Sequence, residues 1–216
     1  MRMYLSSFDL GNAASELAAL APAGRVALIM NALDNRPESR ERWRLAQSRK
    51  LQALGLTVSD LDLRDFFDAP DRLRDRLSRH DMVWIKGGNA FILRRAMKLS
   101  GMDVAIVDLL QRDEIVYAGF SAAAVIVSQS LHGLEAVDDP HDVPEGYPAE
   151  VEWSGLAILP FAIVVHHQSD HPESAAVEKE IEHYERANIP YRTLRDGEAF
   201  VVRGTLDSLA KVGSGT

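Results

Sequence analysis

Short apolar runs alternate with longer amphipathic segments along most of this chain. Because strands of about four to eight residues and helices of about ten or more produce this rhythm, it predicts alternating strands and helices. The predicted strands are Met3–Ser6, Arg25–Met30, Thr57–Leu63, Met82–Lys86, Ile115–Ala118, Ala157–Val165 (as one strand or two), Tyr191–Leu194 and Ala199–Val202. The predicted helices are Ala13–Ala21, Pro37–Leu54, Asp71–Arg79, Ala90–Leu99, Val104–Gln111 and Pro172–Ala187. The alternation predicts an α/β fold, with a mostly parallel central sheet, helices on both of its faces and active groups at the carboxyl ends of its strands.

Two regions complete this picture. From Gly133 to Trp153 the alternation stops in a long acidic loop that contains prolines, and such a loop inside a compact domain is usually functional or mobile. The turn Asp196–Gly197 is compatible with a hairpin between the last two strands. No repeat or change of composition divides the chain, so residues 1–216 are expected to form a single domain with a frayed end at Gly213–Thr216.

Composition narrows the function. The chain has 216 residues, 46% of them hydrophobic, which suffices for one well-filled core. Its net charge of -8 argues against nucleic-acid and anionic-membrane partners, which require clustered Lys and Arg. The basic segment Arg36–Arg49 includes Glu38, Glu41 and Gln47, so a solvated helix face explains it better. The absence of cysteine, of a ~20-residue apolar run and of a signal pattern predicts a cytoplasmic protein without disulfides or thiolate metal sites.

The strongest chemical signal is a serine between a strand and a helix. The apolar run Ile115–Ala118 ends in Gly119-Phe120-Ser121-Ala122-Ala123, where small residues begin a helix. This is the layout of a nucleophile elbow, in which a sharp turn exposes the serine hydroxyl at the edge of the sheet. The free N–H groups and positive dipole end of the helix suit a developing oxyanion. The alternative is a serine that only caps the helix.

A nucleophilic serine requires a base. Of the seven histidines, those in charged, loop or exposed helical sequence are poor candidates, which leaves His166, His167 and His171. His166 directly follows the apolar run Phe161–Val165 and should emerge at the same sheet edge as Ser121. The pair His166-His167 could instead bind a metal, but neighbours on a strand point to opposite faces and no further ligand spacing supports it. We therefore favour His166 as the base.

A second turn between strand and helix contains Gly87-Gly88-Asn89. Two glycines let the main chain approach a substrate carbonyl closely, and their N–H groups would point into the same crevice as Ser121. The sequence is neither a Walker loop nor a dinucleotide fingerprint, so phosphate binding is not favoured. Asn89 is expected to cap the following helix and to contact the substrate.

Together these motifs resemble the peptidase E family, which comprises serine peptidases related to cyanophycinase on a class I glutamine amidotransferase-like fold. The resemblance rests on Gly87–Phe91, Gly119–Ala124, Asp138-Asp139-Pro140 and a strand that ends in His166, in matching order and spacing. It covers about Arg25 to Val202. Each motif is weak alone, and the combination is fairly specific.

The resemblance implies a role for each matching residue. Ser121 matches the nucleophile of the family pattern Gly-x-Ser-Ala-Gly-Ala, and His166 matches the general base. The N–H groups of Gly88 and Ala122 match the oxyanion hole. No metal or organic cofactor is implied, and the expected substrate is a short peptide or related amide.

The resemblance also implies an acid as the third member of the triad, a short way beyond the nucleophile. Glu135 is the first choice, because it lies between the elbow helix and the Asp-Asp-Pro turn. Asp138 or Asp139 could replace it, and Asp196 is a weaker candidate from the other side of the histidine.

Two departures from the family pattern affect the prediction. Ala123 replaces a glycine, which small size makes tolerable. The segment Gln168–Ser174 lacks the arginine with which the aspartyl-dipeptidase branch holds a substrate carboxylate, so specificity for an N-terminal aspartate does not follow. A non-catalytic binding or regulatory protein on the same fold and a small-ester α/β-hydrolase are the alternative functions. A homodimer is compatible with the sequence.

Overall fold

The computed structural model describes residues 1–22, 24–204 and 210–212, so the predicted frayed end Gly213–Thr216 lies outside the described part. The strands are β1 (Arg2–Ser6), β2 (Arg25–Ile29), β3 (Thr57–Asp60), β4 (Met82–Ile85), β5 (Val116–Phe120), β6 (Ala162–Val164), β7 (Tyr191–Thr193), β8 (Ala199–Arg203) and β9 (Ala210–Val212). The helices are α1 (Ala14–Leu20), α2 (Pro37–Ala53), α3 (Pro70–Leu77), α4 (Ala90–Ser100), α5 (Met102–Gln111), α6 (Ala122–Val125) and α7 (Ser174–Ala187). These elements agree with most of the predicted ones to within a few residues.

A seven-stranded sheet with the strand order β3-β2-β4-β5-β1-β8-β9 organises the molecule. The first five strands of that order pair in parallel, whereas β8 is antiparallel to β1 and β9 is antiparallel to β8. The central strands are buried along their whole length, because helices cover both faces. The predicted α/β fold with a mostly parallel sheet is confirmed.

The two faces of the sheet have separate cores, because side chains alternate along each strand. Leu5 and Ile85 face the core that contains Phe91 of α4. Tyr4 and Trp84 face the other core, which includes residues of α1 and α2. Both cores extend to the carboxyl ends of β4 and β5, where the loops that carry the candidate site begin.

The predicted hairpin around Asp196–Gly197 is wrong. β7 pairs in parallel with β6 in a separate two-stranded sheet, whereas β8 returns to the main sheet beside β1. The run Ala157–Val165 contains only the strand β6, because the backbone of Ala157, Ile158 and Leu159 donates hydrogen bonds to the segment that follows α6. Apolar runs indicate strands, but they do not indicate which strand is the partner.

The basic segment Arg36–Arg49 is expected to form a solvated helix face, and Gln47 departs from that expectation. The Gln47 side chain is fully buried, accepts a hydrogen bond from the Trp84 indole N–H at 2.8 Å and donates one to Asp9 at 3.0 Å. A polar amide is stable in this position because both of its ends have partners. Among the described helices, none is both long and apolar enough to cross a membrane.

Candidate active site

Ser121 occupies a strained turn between β5 and α6. Its backbone has φ 51° and ψ -113°, a conformation that a residue with a side chain adopts only where the surroundings enforce it. Its N–H donates to Ser6 O at 3.2 Å, which ties the turn to the end of β1. A Cβ added at Gly119 would lie 2.4 Å from Ile85 O and 2.6 Å from Ala123 Cβ, so both flanking positions require small residues. Ser121 therefore lies on a tight, strained turn directly after a central strand.

The turn that contains Gly87 and Gly88 packs directly against Ser121. A Cβ at Gly87 would lie 2.6 Å from Ser121 Cβ and 3.1 Å from Ser121 Oγ. Gly88 has φ +152°, and a Cβ there would lie 2.5 Å from Ala32 O. Within the described residues, the Gly88 and Ala122 N–H groups have no hydrogen-bond acceptor. Two unbonded amides therefore lie in the two turns that meet at Ser121.

His166 pairs with Asp196. The His166 Nδ1 atom lies 2.7 Å from Asp196 Oδ1, and the histidine is 1% exposed. Ser7, at the end of β1, donates its hydroxyl to the same Asp196 oxygen at 2.8 Å and accepts the His166 backbone N–H at 2.8 Å. Burial opposes ionisation of Asp196, but the hydrogen bonds from His166 and Ser7 lower its pKa. In this network the Asp196 carboxylate binds Nδ1 of His166, so Nε2 is not used by that hydrogen bond.

The end of β1 connects the serine to the histidine. Ser6 O accepts the Ser121 N–H, and the next residue, Ser7, bonds to the His166 backbone. His166 follows β6, which belongs to the small sheet and not to the main sheet that contains Ser121. Its hydrogen bond to Ser7 holds it at the end of β1. Ser121 Oγ makes no hydrogen bond within the described part of the chain. Contacts between nucleophile and base are often long before substrate binds.

The other three acidic candidates are engaged elsewhere. Glu135 is exposed, and its carboxylate accepts the Gly133 N–H at 2.6 Å. Asp138 accepts the Ala90 N–H at 2.8 Å, and Asp139 accepts the His141 N–H at 2.8 Å. None of them hydrogen-bonds to His166, whereas Asp196 does. The first choice from the sequence, Glu135, is thus not the histidine's partner in the structure.

Asn89 holds the start of α4. Its Oδ1 accepts the N–H groups of Phe91 at 2.9 Å and Ile92 at 3.0 Å, and its Nδ2 donates to Asp139 O at 2.8 Å. These bonds fix the Gly88 turn against the Asp138–Asp139 loop. The side chain that sequence analysis assigned to substrate binding is therefore occupied by structural contacts.

A polar cavity of about 260 Å³ opens beside Gly88. Its charged lining residues are Arg36, Asp138, Asp139, Asp142 and Glu173. Burial raises the pKa of Asp138 to about 7, and the charge of Glu173 contributes in the same direction. The cavity is smaller than the ~300–1,000 Å³ of sites for drug-sized ligands. Its size and excess of carboxylates suit a small cationic group.

Sequence analysis did not identify Lys86 as part of the site. Its ammonium lies 4.4 Å from the centre of the Trp43 ring and 5.1 Å from that of the Phe120 ring. Burial lowers the pKa of Lys86 to about 8. The only sequence signal was a lysine at the end of an apolar strand, directly before the glycines that face Ser121.

His171 stacks on His166 and completes a group of potential metal ligands. The two imidazole rings are 3.7 Å apart and nearly parallel, and Glu173 Oε2 lies 3.8 Å from His166 Nε2. Ligand atoms of His166, His171 and Glu173 lie within 4.8 Å of one another, and this donor set suits zinc. Parallel rings direct their in-plane lone pairs side by side, however, so shared coordination would require one ring to turn.

Comparisons with known proteins agree on one family. The model of peptidase family S51 matches residues 25–208. An uncharacterized peptidase of Listeria innocua is 25% identical over 158 residues, which cover 73% of this chain and 71% of that protein. Peptidase E of Streptomyces coelicolor is 30% identical over 154 residues, which cover 69% of this chain and 59% of the relative. The solved structure of a candidate peptidase E protein from Listeria monocytogenes has a TM-score of 0.81 at 20% identity, over 99% of this chain and 98% of that one.

The fold and the turn around Ser121 define a class of α/β proteins that carry a serine turn at the carboxyl end of a central strand. Within that class, the chain belongs to peptidase family S51, and the resemblance inferred from its motifs is confirmed. It is a serine peptidase that cleaves short peptides.

Proposed function

We propose that the chain hydrolyses short peptides through an acyl-enzyme on Ser121, with His166 as the base and Asp196 as its orienting carboxylate. His166 Nε2 takes the serine proton while Oγ attacks the carbonyl carbon. The Gly88 and Ala122 N–H groups stabilise the oxyanion that forms. His166 then gives its proton to the leaving amine, and water, activated by the same histidine, hydrolyses the ester.

The observation that carries this proposal is the 2.7 Å contact between His166 Nδ1 and Asp196 Oδ1. An ionised carboxylate on Nδ1 holds that nitrogen as the N–H donor, so Nε2 remains free to accept a proton. The same contact stabilises the imidazolium that forms during attack. The strain at Ser121 supports the proposal, because strained backbone is concentrated at functional sites.

We also propose that the acidic cavity receives the free amino terminus of the substrate. The cavity lies beside Gly88, one of the two proposed oxyanion donors, and four of its five charged lining residues are acids. An N-terminal ammonium placed there would bring the first peptide carbonyl near Ser121. N-acetylation of a dipeptide substrate should therefore lower kcat/KM by at least ~10-fold, because it removes the charge that the carboxylates attract.

Labelling by a fluorophosphonate probe tests the catalytic proposal. The wild-type protein should react, while Ser121→Ala and His166→Ala should not, because the first lacks the nucleophile and the second its base. A panel of dipeptides, their N-acetyl forms and simple esters, assayed on the same samples, separates a peptidase from a small-ester hydrolase. A folded wild-type protein that neither reacts nor hydrolyses any dipeptide would instead support a binding protein on this fold.

We also propose that this peptidase acts in the cytoplasm. The absence of cysteine supports a reducing compartment. The net charge of -8 supports a peptide and not a nucleic acid as the partner. Size-exclusion chromatography with light scattering would determine whether the protein is a monomer or a homodimer.

A further inference from the structure

Lys86 is a buried cation next to the nucleophile that the proposed mechanism does not use. It is 7% exposed and directly precedes Gly87, which packs against Ser121. Its ammonium contacts the rings of Trp43 and Phe120, which form an aromatic box with Phe8. The Phe8 ring centre lies 6.4 Å from that of Trp43 and 6.0 Å from that of Phe120.

The ammonium lacks the acceptor that a buried cation requires. An ammonium has three donors, yet no described residue accepts a hydrogen bond from Lys86 Nζ. The two nearby acids have other contacts: Asp9 binds Lys50, and Glu173 lies next to the histidines. Ring contacts attract a cation but accept no conventional hydrogen bond, so they do not replace the lost water. A group that supplies an anionic oxygen would complete the box.

The Phe8 side of the aromatic box lies next to His166 and His171. The Phe8 ring lies 6.2 Å from the His166 ring and 5.6 Å from the His171 ring. The positive charge of Lys86 also contributes to the lowered pKa of His171, behind burial and the charge of His166. A ligand group between the aromatic box and His166 would therefore belong to the same molecule that Ser121 attacks.

We propose that Lys86 binds a carboxylate of the peptide substrate and so determines which short peptides the enzyme prefers. The inference rests on the proposed function, since it assumes that the peptide binds at Ser121. An acidic side chain and the C-terminal carboxylate offer the same chemistry. The segment Gln168–Ser174 contains no Lys or Arg, and Arg36 lies in the acidic cavity, so Lys86 is the cation of the box.

Calorimetry on the Ser121→Ala protein tests the inference without catalysis. The reference ligand is Asp-Ala, which has both carboxylates. Asn-Ala lacks the side-chain carboxylate, Asp-Ala amide lacks the terminal one, and Asn-Ala amide lacks both. Loss of the carboxylate that Lys86 binds should weaken binding at least ~10-fold, because a desolvated charged hydrogen bond is lost. The ligand whose change has this effect identifies the source of the carboxylate.

Lys86→Met in the same background should bind the charged and uncharged ligands within about 3-fold of one another. Lys179→Met, which removes an equal charge from the exposed side of α7, should keep the full difference. The inference would be overturned if the Lys86→Met protein still preferred the charged ligand as strongly as the Ser121→Ala protein does. It would also be overturned if Arg36→Met, and not Lys86→Met, lost this preference, or if no dipeptide bound. If the probe did not label the wild-type protein but the Ser121→Ala protein still preferred the carboxylate ligand, only the catalytic proposal would be overturned.

Should Lys86→Met fail to fold, a pH titration of binding to the Ser121→Ala protein replaces it. The ratio of the affinities for the preferred carboxylate ligand and its uncharged counterpart should fall above pH 8, where Lys86 loses its proton, because titration of the amino terminus affects both ligands alike. The charged or titratable groups around the ammonium are Asp9, Glu173, Arg36 and His171. His171, with a pKa below the usual histidine range, is already neutral at pH 8. An affinity ratio that stays constant to pH 10 would overturn the inference.

Discussion

At the scale of single residues, Ser7 connects both halves of the His166–Asp196 pair. Its hydroxyl donates to Asp196 Oδ1 and accepts the His166 backbone N–H, each at 2.8 Å. Among the described residues of the main sheet, β1 and its continuation alone make hydrogen bonds both to the backbone of the serine turn and to the backbone of His166. Ser7 is therefore a positioning residue, because it acts on the substrate only through its two neighbours.

Ser7→Ala should lower kcat by roughly 10- to 100-fold with little change in KM, because catalytic geometry is lost while peptide binding is retained. The pH profile of kcat should change as well, since Asp196 loses a hydrogen bond that favours its ionised form. Steady-state kinetics over pH 5–9 measure both effects. Ser59→Ala, which removes a hydroxyl bonded to His80 and not to the pair, is the matched control. Equal kinetics for the two variants would contradict the assigned role.

Lys86 should also affect folding in a pH-dependent way. Its folded-state pKa of about 8 lies below the ordinary value of 10.5, so the buried ammonium destabilises the fold fully below pH 8. As the pH rises from 8 to 10.5, the folded state releases its proton first and this penalty disappears. Lys86→Met should therefore be more stable than wild type by roughly 1–3 kcal/mol at pH 7 and about equal at pH 10.5. Urea unfolding at both pH values measures the difference, and a constant difference would contradict the assignment.

Sequence analysis at this scale selected Ser121 and His166 as candidates, because a turn motif and a strand end mark them locally. Asp196 ranked low because its only link to His166 is spatial: it lies 30 residues further along, in a loop that β6 and β7 position. Lys86 was missed because a lysine at a strand end is common, and its significance comes from the rings around it.

At the scale of elements, α7 contains a buried acid that the mechanism does not use. Glu180 is 1% exposed and accepts a hydrogen bond from the Tyr184 hydroxyl at 2.9 Å. Burial raises its pKa to about 8, and the negative charges of Asp138, Glu135 and Glu173 contribute in the same direction. The carboxyl group is thus protonated at neutral pH in the folded protein.

Glu180→Gln should stabilise the protein increasingly as the pH rises. Below pH 4.5 both folded and unfolded states hold the Glu180 proton, so the variant and the wild type should be equally stable. Between pH 4.5 and 8 the unfolded state ionises first, which destabilises the wild type only. A gain of roughly 2–4 kcal/mol is expected above pH 8. Chemical unfolding from pH 4 to 9 tests this, with the exposed Glu182→Gln as control. A gain that does not vary with pH would contradict the raised pKa.

The bounds of most elements could be predicted, but some pairings could not. The alternation of apolar runs and amphipathic segments reflects local geometry, so it located β1 to β5 and the helices between them. The pairing of β6 with β7, and of β8 with β1, depends on contacts between distant segments. The predicted hairpin is wrong for that reason. The turn sequence Asp196–Gly197 is also compatible with β7 and β8 belonging to different sheets.

At the scale of the whole molecule, the sheet gathers the site at one edge. β4 ends at the Lys86–Gly88 turn, β5 at Ser121, and β1 at Ser7, and these three strands are neighbours in the order β4-β5-β1. The small sheet then contributes His166, and the loop before β8 contributes Asp196. The parallel core could be predicted from sequence because its central strands, β4 and β5, are apolar runs, but the position of the small sheet could not.

The most direct test of this account compares Asp196→Asn with Glu135→Gln. Both changes remove one negative charge with little change of shape. Asp196 is the carboxylate that contacts His166, whereas Glu135 accepts a hydrogen bond from the Gly133 backbone. We predict that Asp196→Asn lowers kcat on the best dipeptide by ~10²–10⁴-fold, because His166 loses its orienting carboxylate, while Glu135→Gln stays within about 3-fold of wild type. A large loss in Glu135→Gln with full activity in Asp196→Asn would contradict the proposed triad.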